Sequence, residues 1–281
     1  MRVIDAPKAP RLGTPWGVRR FASLYAQLLR TGFAEAVAYR AEFLIWMFST
    51  NMPLVMLAIW AAAARSGPVG GYSQQGFAAY YLCALLVRLM TGAWVVWELT
   101  MEIRQGTLAL RLLRPIHPLL QWSADNIAAI PMRGVVALPV TAILLWVARG
   151  ELSHRWFDWL LLLPALAGAW LIYFLVQAII GTIALRFESA ASLFTAWLGF
   201  SNILSGYLVP LDLFPRAVRD AAQWLPFRFQ LSYPVELMLG RWNHEQALQL
   251  LGVEWIYVAF FFLCTRTAWR AGLRYYAAYG G

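Results

Sequence analysis

The sequence predicts an all-α polytopic membrane protein with six transmembrane helices. It contains six long apolar stretches, and its residues are 61% hydrophobic and only 13% charged, against about 25% charged residues in an ordinary soluble domain. A membrane-spanning helix needs about 20 predominantly apolar residues, and each stretch approaches or exceeds that length. The predicted spans are residues 43–64, 77–97, 127–148, 159–185, 189–209 and 252–269.

Residues 1–41 are predicted to precede the membrane domain, which covers residues 42–281. Residues 1–15 are rich in proline and are expected to form a mobile arm. From Trp16 to Arg40, apolar residues recur at helical spacing with the arginines off that face, which predicts an amphipathic helix. Such a helix typically rests at the membrane interface. Docking of a cytoplasmic partner on it is the alternative.

The longest predicted inner loop covers residues 98–123 and is rich in charge. Four leucines (Leu108, Leu110, Leu112 and Leu113) alternate there with arginines. This pattern predicts a short amphipathic helix that ends at Arg114, before Pro115. A solvated connector is the alternative, but the density of leucine favours a segment on which something packs.

Residues 210–251 are too polar to span a membrane and too apolar for a solvated loop. Apolar residues recur at helical spacing from Phe214 to Leu225, and Pro226 interrupts them. A second helical piece is expected from Val235 to Leu239. We predict two short re-entrant helices in the outer leaflet, because irregular backbone at that depth must be buried in protein or wet.

Basic residues indicate the orientation. If both termini are cytoplasmic, the inner side carries twice as many basic residues as the outer side, as the positive-inside rule requires. The formal charge of +9 is then explained by anionic headgroups, and no nucleic-acid partner is expected. The sequence thus predicts a multi-pass protein with both ends inside.

Catalytic chemistry finds little support in the sequence. His117, His154 and His244 lie far apart without metal-ligand spacing, and Cys83 and Cys264 both fall within predicted spans. A phosphate-binding loop needs a lysine after glycine, and the single lysine, Lys8, lies in Lys-Ala-Pro. We therefore expect no catalytic, metal or cofactor site on this chain, and any ATP with its Mg on another subunit.

Two arginines fall within predicted spans and are candidate transport-pathway residues. Arg88 lies near the middle of the second span, where a charge must face protein or water and find a partner from another span or subunit. A structural hydrogen bond to backbone is the alternative role. Arg133 is closer to the inner interface, which it can reach, so a structural role is favoured. Glu254 is expected to reach the outer interface in the same way.

Two motifs carry a family resemblance. The run Glu102-Ile-Arg-Gln-Gly-Thr-Leu-Ala-Leu-Arg-Leu-Leu-Arg-Pro-Ile116 resembles the inner-loop motif of bacterial type-2 ATP-binding-cassette (ABC) permeases. The succession Pro210-Leu-Asp-Leu-Phe-Pro215, Leu225-Pro-Phe227 and Tyr233-Pro is similar to the last outer segment of that family. One departure is Leu108-Ala109-Leu110, where the family pattern leads us to expect an acidic residue.

The resemblance implies the permease subunit of an ATP-driven exporter in the bacterial cytoplasmic membrane. Its partners would be two copies of an ABC ATPase subunit and a second permease, either a related paralogue or the same chain. Carried onto this sequence, the surface that couples to the ATPase comprises Glu98, Glu102, Arg104, Gly106, Arg111 and Arg114. The outer gate comprises Pro210, Phe214, Pro215, Pro226, Phe227, Tyr233 and Pro234.

Two other classes of function are open at this point. One is an intramembrane enzyme acting on a lipid-linked substrate, which would need polar groups clustered at one depth. The other is an ATP-independent channel or scaffold, which would need no cytoplasmic subunit. The substrate, whether drug, lipid or saccharide, does not follow from the sequence.

Overall fold

The computed structural model describes residues 18–41, 45, 52–187 and 190–276. Their secondary structure is helical, apart from an isolated β-bridge between Val69 and Tyr72. The α-helices, in chain order, are α1 (Val18–Ala38), α2 (Met52–Ala63), α3 (Gln74–Thr91), α4 (Val95–Arg104), α5 (Leu108–Leu112), α6 (Pro118–Ala128), α7 (Ile130–Ala148), α8 (Trp156–Phe187), α9 (Ala191–Leu204), α10 (Arg216–Gln223), α11 (Phe227–Gln230), α12 (Ser232–Met238) and α13 (His244–Leu273).

Within the described part of the chain, four helical segments are long and apolar enough to cross a membrane: Gln74–Arg104, Pro118–Glu151, Trp156–Phe187 and His244–Leu273. They contain the predicted second, third, fourth and sixth spans. The predicted first and fifth spans correspond to shorter apolar helices, Met52–Ser66 and Ala191–Leu204. Residues 43, 44, 46–51 and 189 of those two spans lie outside the described residues, so six spans remain a prediction.

The bundle has two ends that matter for function. We call the end formed by residues 105–117, between α4 and α6, the loop end. The opposite end, formed by residues 205–243, is called the gate end. The positive-inside argument predicts that the loop end is cytoplasmic.

Helix α8 is the central element of the bundle. It packs along α13 and also contacts α4 and α12. Small residues allow this approach: a Cβ on Gly272 of α13 would lie 2.7 Å from Leu185 Cδ1 of α8. Because α8 is apolar on all sides, it can be buried by protein on one face and by lipid on the other.

Helix α3 packs between α2 and α7. The core at the gate end of this group is aromatic, and Tyr72, Phe77, Tyr80 and Tyr81 are all buried in it. Tyr72 and Phe77 stack with their ring centroids 5.0 Å apart. These tyrosines place hydroxyl groups inside the bundle, where each needs a hydrogen-bond partner.

The predicted N-terminal helix exists and packs against α6. The structure describes it as α1; Trp16 and residues 1–15, including the predicted arm, lie outside the described residues. Gly32 is the buried residue of this contact, and a Cβ there would lie 3.1 Å from Ala128 Cβ. Tyr25 Oη and Ser123 Oγ are hydrogen-bonded at 3.0 Å. The helix is therefore attached to the start of the third span, and its resting place at the membrane interface stays a prediction.

Four details differ from the sequence expectations. Helices α4 and α6 extend into the predicted loop 98–123, and the buried Leu99 and Ile103 continue the apolar face of α4 there. The loop helix ends at Leu112, slightly before Arg114. Helix α12 begins before Pro234 and contains it, since proline is tolerated in a first helical turn. Finally, the second span is broken in its middle, as described below.

Candidate functional site

The predicted coupling surface divides into residues that brace the loop end and residues that are exposed on it. Arg111 of α5 is the principal brace. Its guanidinium lies 2.7 Å from Glu102 of α4 and 3.4 Å from Asp125 of α6, and it stacks over Trp122 at 5.2 Å. Trp122 Nε1 in turn donates to Glu102 Oε1 at 3.1 Å. One side chain thus joins three helices.

The exposed part of the loop end combines basic and apolar side chains. Arg104 and Arg114 are exposed, and Arg114 also donates to Gln121 at 3.1 Å. Leu110 and Leu113 are 65% and 68% exposed, which is unusual for leucine on a segment braced by ion pairs. We call these four residues the loop knob. The density of leucine predicts that something packs on its apolar part, which is exposed.

Two further predicted coupling residues shape the chain below the knob. Gly106 has φ +72°, a left-handed conformation that glycine adopts without strain, and it turns the chain from α4 into α5. Glu98 lies half-buried in the first turn of α4, six residues before Arg104.

The second span is interrupted at residues 92–94, between α3 and α4. Helical hydrogen bonding stops there, with Gly92 in an extended conformation (φ −60°, ψ 138°). Peptide groups released in this way cannot be left unsatisfied in the interior of a membrane protein. They have to find partners on other helices.

Three helices supply those partners. Arg133 Nη1 of α7 donates to the Gly92 carbonyl at 2.6 Å. Gln177 Nε2 of α8 donates to the Ala93 carbonyl at 2.8 Å. The Trp94 N–H donates to Asn126 Oδ1 of α6 at 3.3 Å. We call these three side chains the latch. The latch holds the break in one defined conformation.

The latch gives Arg133 the structural role that its position favoured. Asn126 and Gln177 were not singled out from the sequence, although both are 4% exposed or less. The available signal was their polarity, since an amide within an apolar span must find a partner. What the sequence could not show is that their partners are main-chain groups of a different span.

Arg88 lies one turn before the break, on α3. Its Nη2 donates to Tyr173 Oη of α8 at 2.8 Å. Its guanidinium carbon lies 4.6 Å from the Tyr173 ring centroid and 5.6 Å from that of Tyr207. The expected partner from another span therefore exists, and it is aromatic and neutral.

The gate end is attached to α3 and to the turn before it by tyrosine hydroxyl groups. Tyr80 donates to the Gly206 carbonyl and Tyr81 to the Leu208 carbonyl, each at 2.8 Å. Tyr72 donates to Asp212 at 3.0 Å. The segment that follows α9 is therefore fixed to the same helix that continues, through the break, to the loop end.

The predicted gate residues differ in how far they are buried in the protein. Pro210, Tyr233 and Pro234 are buried, Phe214, Pro226 and Phe227 are half-buried, and Pro215 is exposed. Tyr233 donates to the Ala247 carbonyl of α13 at 2.7 Å. A buried ion pair of 2.8 Å between Arg228 and Glu236 fixes α11 to α12.

The expectation for Glu254 was wrong. This residue of α13 is fully buried against α8, and a Cβ on Gly168 would lie 2.6 Å from its carboxyl carbon. The glycine provides the space that the carboxyl group occupies, so Glu254 does not extend to the outer interface.

Among the residues that the structure describes, no group of three or more His, Cys, Asp and Glu side chains is arranged to hold a metal ion. The polar groups at the break and at the gate end are bound mostly to main chain and to each other. The bundle therefore has the exposed loop knob at its loop end and the break, held by the latch, in the middle of its second span. At its gate end, the segment after α9 is hydrogen-bonded to tyrosines.

Fold and site together define a helical membrane protein. The sequence matches the family described as ABC-2 family transporter protein over residues 49–280. Because the match covers most of the chain, the chain belongs to this family, which confirms the predicted resemblance. No curated protein matches the sequence.

Membership establishes the general function. The chain is a transmembrane permease component of an ABC transport system, and an ABC ATPase is its partner. Members of this family are membrane subunits of transporters and are not themselves catalytic enzymes. Of the three classes of function left open by the sequence, the intramembrane enzyme and the independent channel are not favoured.

Proposed function

We propose that this permease exports its substrate across the bacterial cytoplasmic membrane, with energy from ATP bound with Mg on two copies of a separate ATPase subunit. A second permease, a related paralogue or a second copy, completes the transporter. Both termini and the loop end face the cytoplasm in this arrangement. The observation that carries the proposal is the loop knob, exposed at the end of a broken span and rigidly braced by Arg111.

The knob has the properties of a docking surface for the ATPase. Leu110 and Leu113 offer apolar anchors, and Arg104 and Arg114 surround them with positive charge. Since Arg111 ties α5 to α4 and α6, a displacement of the knob would move the ends of two spans as a rigid body.

The displacement then has a continuous path to the gate end. It would pass from α4 across the latch to α3, and from α3 through Tyr80 and Tyr81 to the segment after α9. Arg88 lies on this path, where we place the export route. Spatial continuity is the support for this path, and variants of its members test it.

The test compares two matched double variants of the copurified permease–ATPase complex. Leu110→Ala with Leu113→Ala removes the apolar anchors and should weaken ATPase binding about tenfold, equal to about 1.4 kcal/mol. Leu138→Ala with Leu163→Ala is the control, because these leucines are 72% and 68% exposed on membrane-spanning helices. The measurement is the amount of ATPase retained in mild detergent and its dissociation constant.

Retention that falls equally in both double variants, or in neither, would show that the knob is not the docking surface. Direction is tested separately in inverted membrane vesicles, whose outer face is cytoplasmic. ATP-dependent accumulation inside them supports export. Accumulation only in right-side-out vesicles would establish import.

A further inference from the structure

Arg88 is a cation held in the middle of a broken membrane span. It is fourteen residues from the start of α3 at Gln74, so it lies about 21 Å along a helix that rises about 1.5 Å per residue. The second span, with its break, extends from Gln74 to Arg104, which places Arg88 near its centre. A long side chain cannot reach either interface easily from that depth.

Aromatic side chains position the guanidinium without neutralising it. Tyr173 offers a hydroxyl group instead of a carboxylate, and this hydroxyl accepts one N–H of Arg88 at 2.8 Å. The rings of Tyr173 and Tyr207 lie 4.6 and 5.6 Å from the guanidinium carbon. Trp197 packs on Tyr173 with ring centroids 5.2 Å apart. We call Arg88, Tyr173, Tyr207 and Trp197 the arginine cluster.

The charge has no carboxylate partner in the described part of the chain. Ion pairs within 4.0 Å there involve other arginines, at the loop end and the gate end. Arginine remains protonated in proteins and carries five N–H donors, of which one is used by the Tyr173 hydroxyl. The Arg88 side chain is only partly buried, so the N–H donors of its guanidinium can reach a group from outside the chain.

The geometry points to a binding subsite for the acidic headgroup of an amphiphilic substrate, and this inference rests on the proposed export function. A planar guanidinium binds a carboxylate or a phosphate through two parallel N–H donors. The neighbouring aromatic side chains favour an apolar body attached to that headgroup over a hydrated inorganic anion. The substrate class is therefore an apolar molecule with one carboxylate or phosphate.

The test uses the purified permease–ATPase complex in lipid nanodiscs without nucleotide. The probe is 11-(dansylamino)undecanoic acid, and its methyl ester is the neutral counterpart with the same apolar body. Binding is measured as energy transfer from protein tryptophan to dansyl after subtraction of lipid partitioning. Wild type should bind the acid at least tenfold more tightly than the ester.

Three variants locate the effect. Arg88→Gln should abolish the preference for the acid. Arg88→Lys should keep part of it, because lysine keeps the positive charge but lacks the two parallel N–H donors of the guanidinium. Arg65→Gln makes the same substitution at an exposed arginine and should bind like wild type. Elution volume and thermal unfolding of each complex show that the variants are folded.

Equal binding of acid and ester by wild type overturns the inference, and so does an unchanged preference in Arg88→Gln. If Arg88→Gln instead separates the two permeases and leaves probe binding unchanged, the partner of Arg88 is a carboxylate of the second permease. The binding measurement needs no ATP hydrolysis. A failure of the export proposal would appear as missing ATP-dependent transport and is therefore distinguishable.

Discussion

Single residues set how tightly the two ends of this permease are fixed. Gly206 illustrates this at the gate end, where it has φ +83° and its carbonyl accepts the Tyr80 hydroxyl. A Cβ there would lie 2.3 Å from Ser232 Oγ and 2.5 Å from Tyr80 Oη. The conformation and the space both require glycine.

Gly206→Ala should therefore destabilise the permease. A left-handed conformation costs a residue with a side chain about 1–2 kcal/mol, and the displaced Tyr80 loses its hydrogen bond in addition. Gly199→Ala is the matched control, because Gly199 lies in α9 with nothing within 4 Å of an added Cβ. Thermal unfolding in detergent should show a lower Tm for Gly206→Ala and an unchanged or higher Tm for the control. Equal Tm values would contradict the account of Gly206.

His117 fixes the start of α6 at the loop end. Its Nδ1 accepts the Leu119 N–H at 3.2 Å, and its ring lies against Trp269. Burial lowers the pKa of this histidine from 6.5 to about 4. The neutral ring is the form that caps the helix, because a protonated Nδ1 cannot accept a hydrogen bond.

This pKa predicts a pH dependence with a definite sign. Between pH 6.5 and 4 the unfolded chain binds a proton at His117 that the folded chain does not, so stability falls as the pH falls. The loss amounts to about 3 kcal/mol at most. His117→Asn keeps a capping side chain without titrating and should lose less stability between pH 7 and 5, measured by thermal unfolding. The same pH dependence in both proteins would show that His117 does not contribute.

At the scale of elements, the broken second span is the main feature that the sequence did not predict. The residues Gly-Ala-Trp at 92–94 are as apolar as their surroundings, so they continue the hydrophobic stretch without interruption. The side chains that stabilise the break lie elsewhere, on three other helices. Partners so distant along the chain leave no local pattern to detect.

Other elements were predictable because their causes are local. The N-terminal helix and the helix of the loop end follow from apolar spacing, glycine and proline within their own sequences. For the candidate site, the pattern predicted a short helix in the loop but did not separate Arg111, which braces it, from the exposed Arg104 and Arg114. That distinction depends on which carboxylates come within reach after folding.

Gln177→Leu should release the latch at the Ala93 carbonyl. Leaving a buried acceptor without its donor costs about 1–3 kcal/mol, and a looser break should transmit less of the movement of α4 to α3. We expect the Gln177→Leu permease to retain the ATPase at the wild-type level and to transport its substrate more slowly. Gln249→Leu, at an exposed position of α13, is the control and should transport normally.

Transport and ATPase retention are measured together on the same vesicles. Loss of retention in Gln177→Leu would place the defect at the loop knob instead of the break. Transport at the wild-type level would show that the latch has no part in coupling.

At the scale of the whole molecule, exposed apolar side chains mark the surface that is available to lipid. Leu138, Leu163 and Ile256 are each at least 68% exposed on membrane-spanning helices. Trp146, Trp156 and Trp224 are still more exposed, at 76–86%, and lie near helix ends, where tryptophan anchors a protein at the membrane interface. Composition alone predicted this membrane environment correctly, because it reflects a property summed over the whole chain.

The latch also has a consequence for biogenesis. A ribosome makes residues 92–94 before it makes any of their three binding partners, and Gln177 follows Ala93 by 84 residues. During that interval the released peptide groups would have no permanent partners, and a hydrocarbon environment does not tolerate them. The nascent second span must therefore either remain a continuous helix or stay with the insertion machinery until the fourth span arrives. The mature shape of the break is a late event in the assembly of the protein.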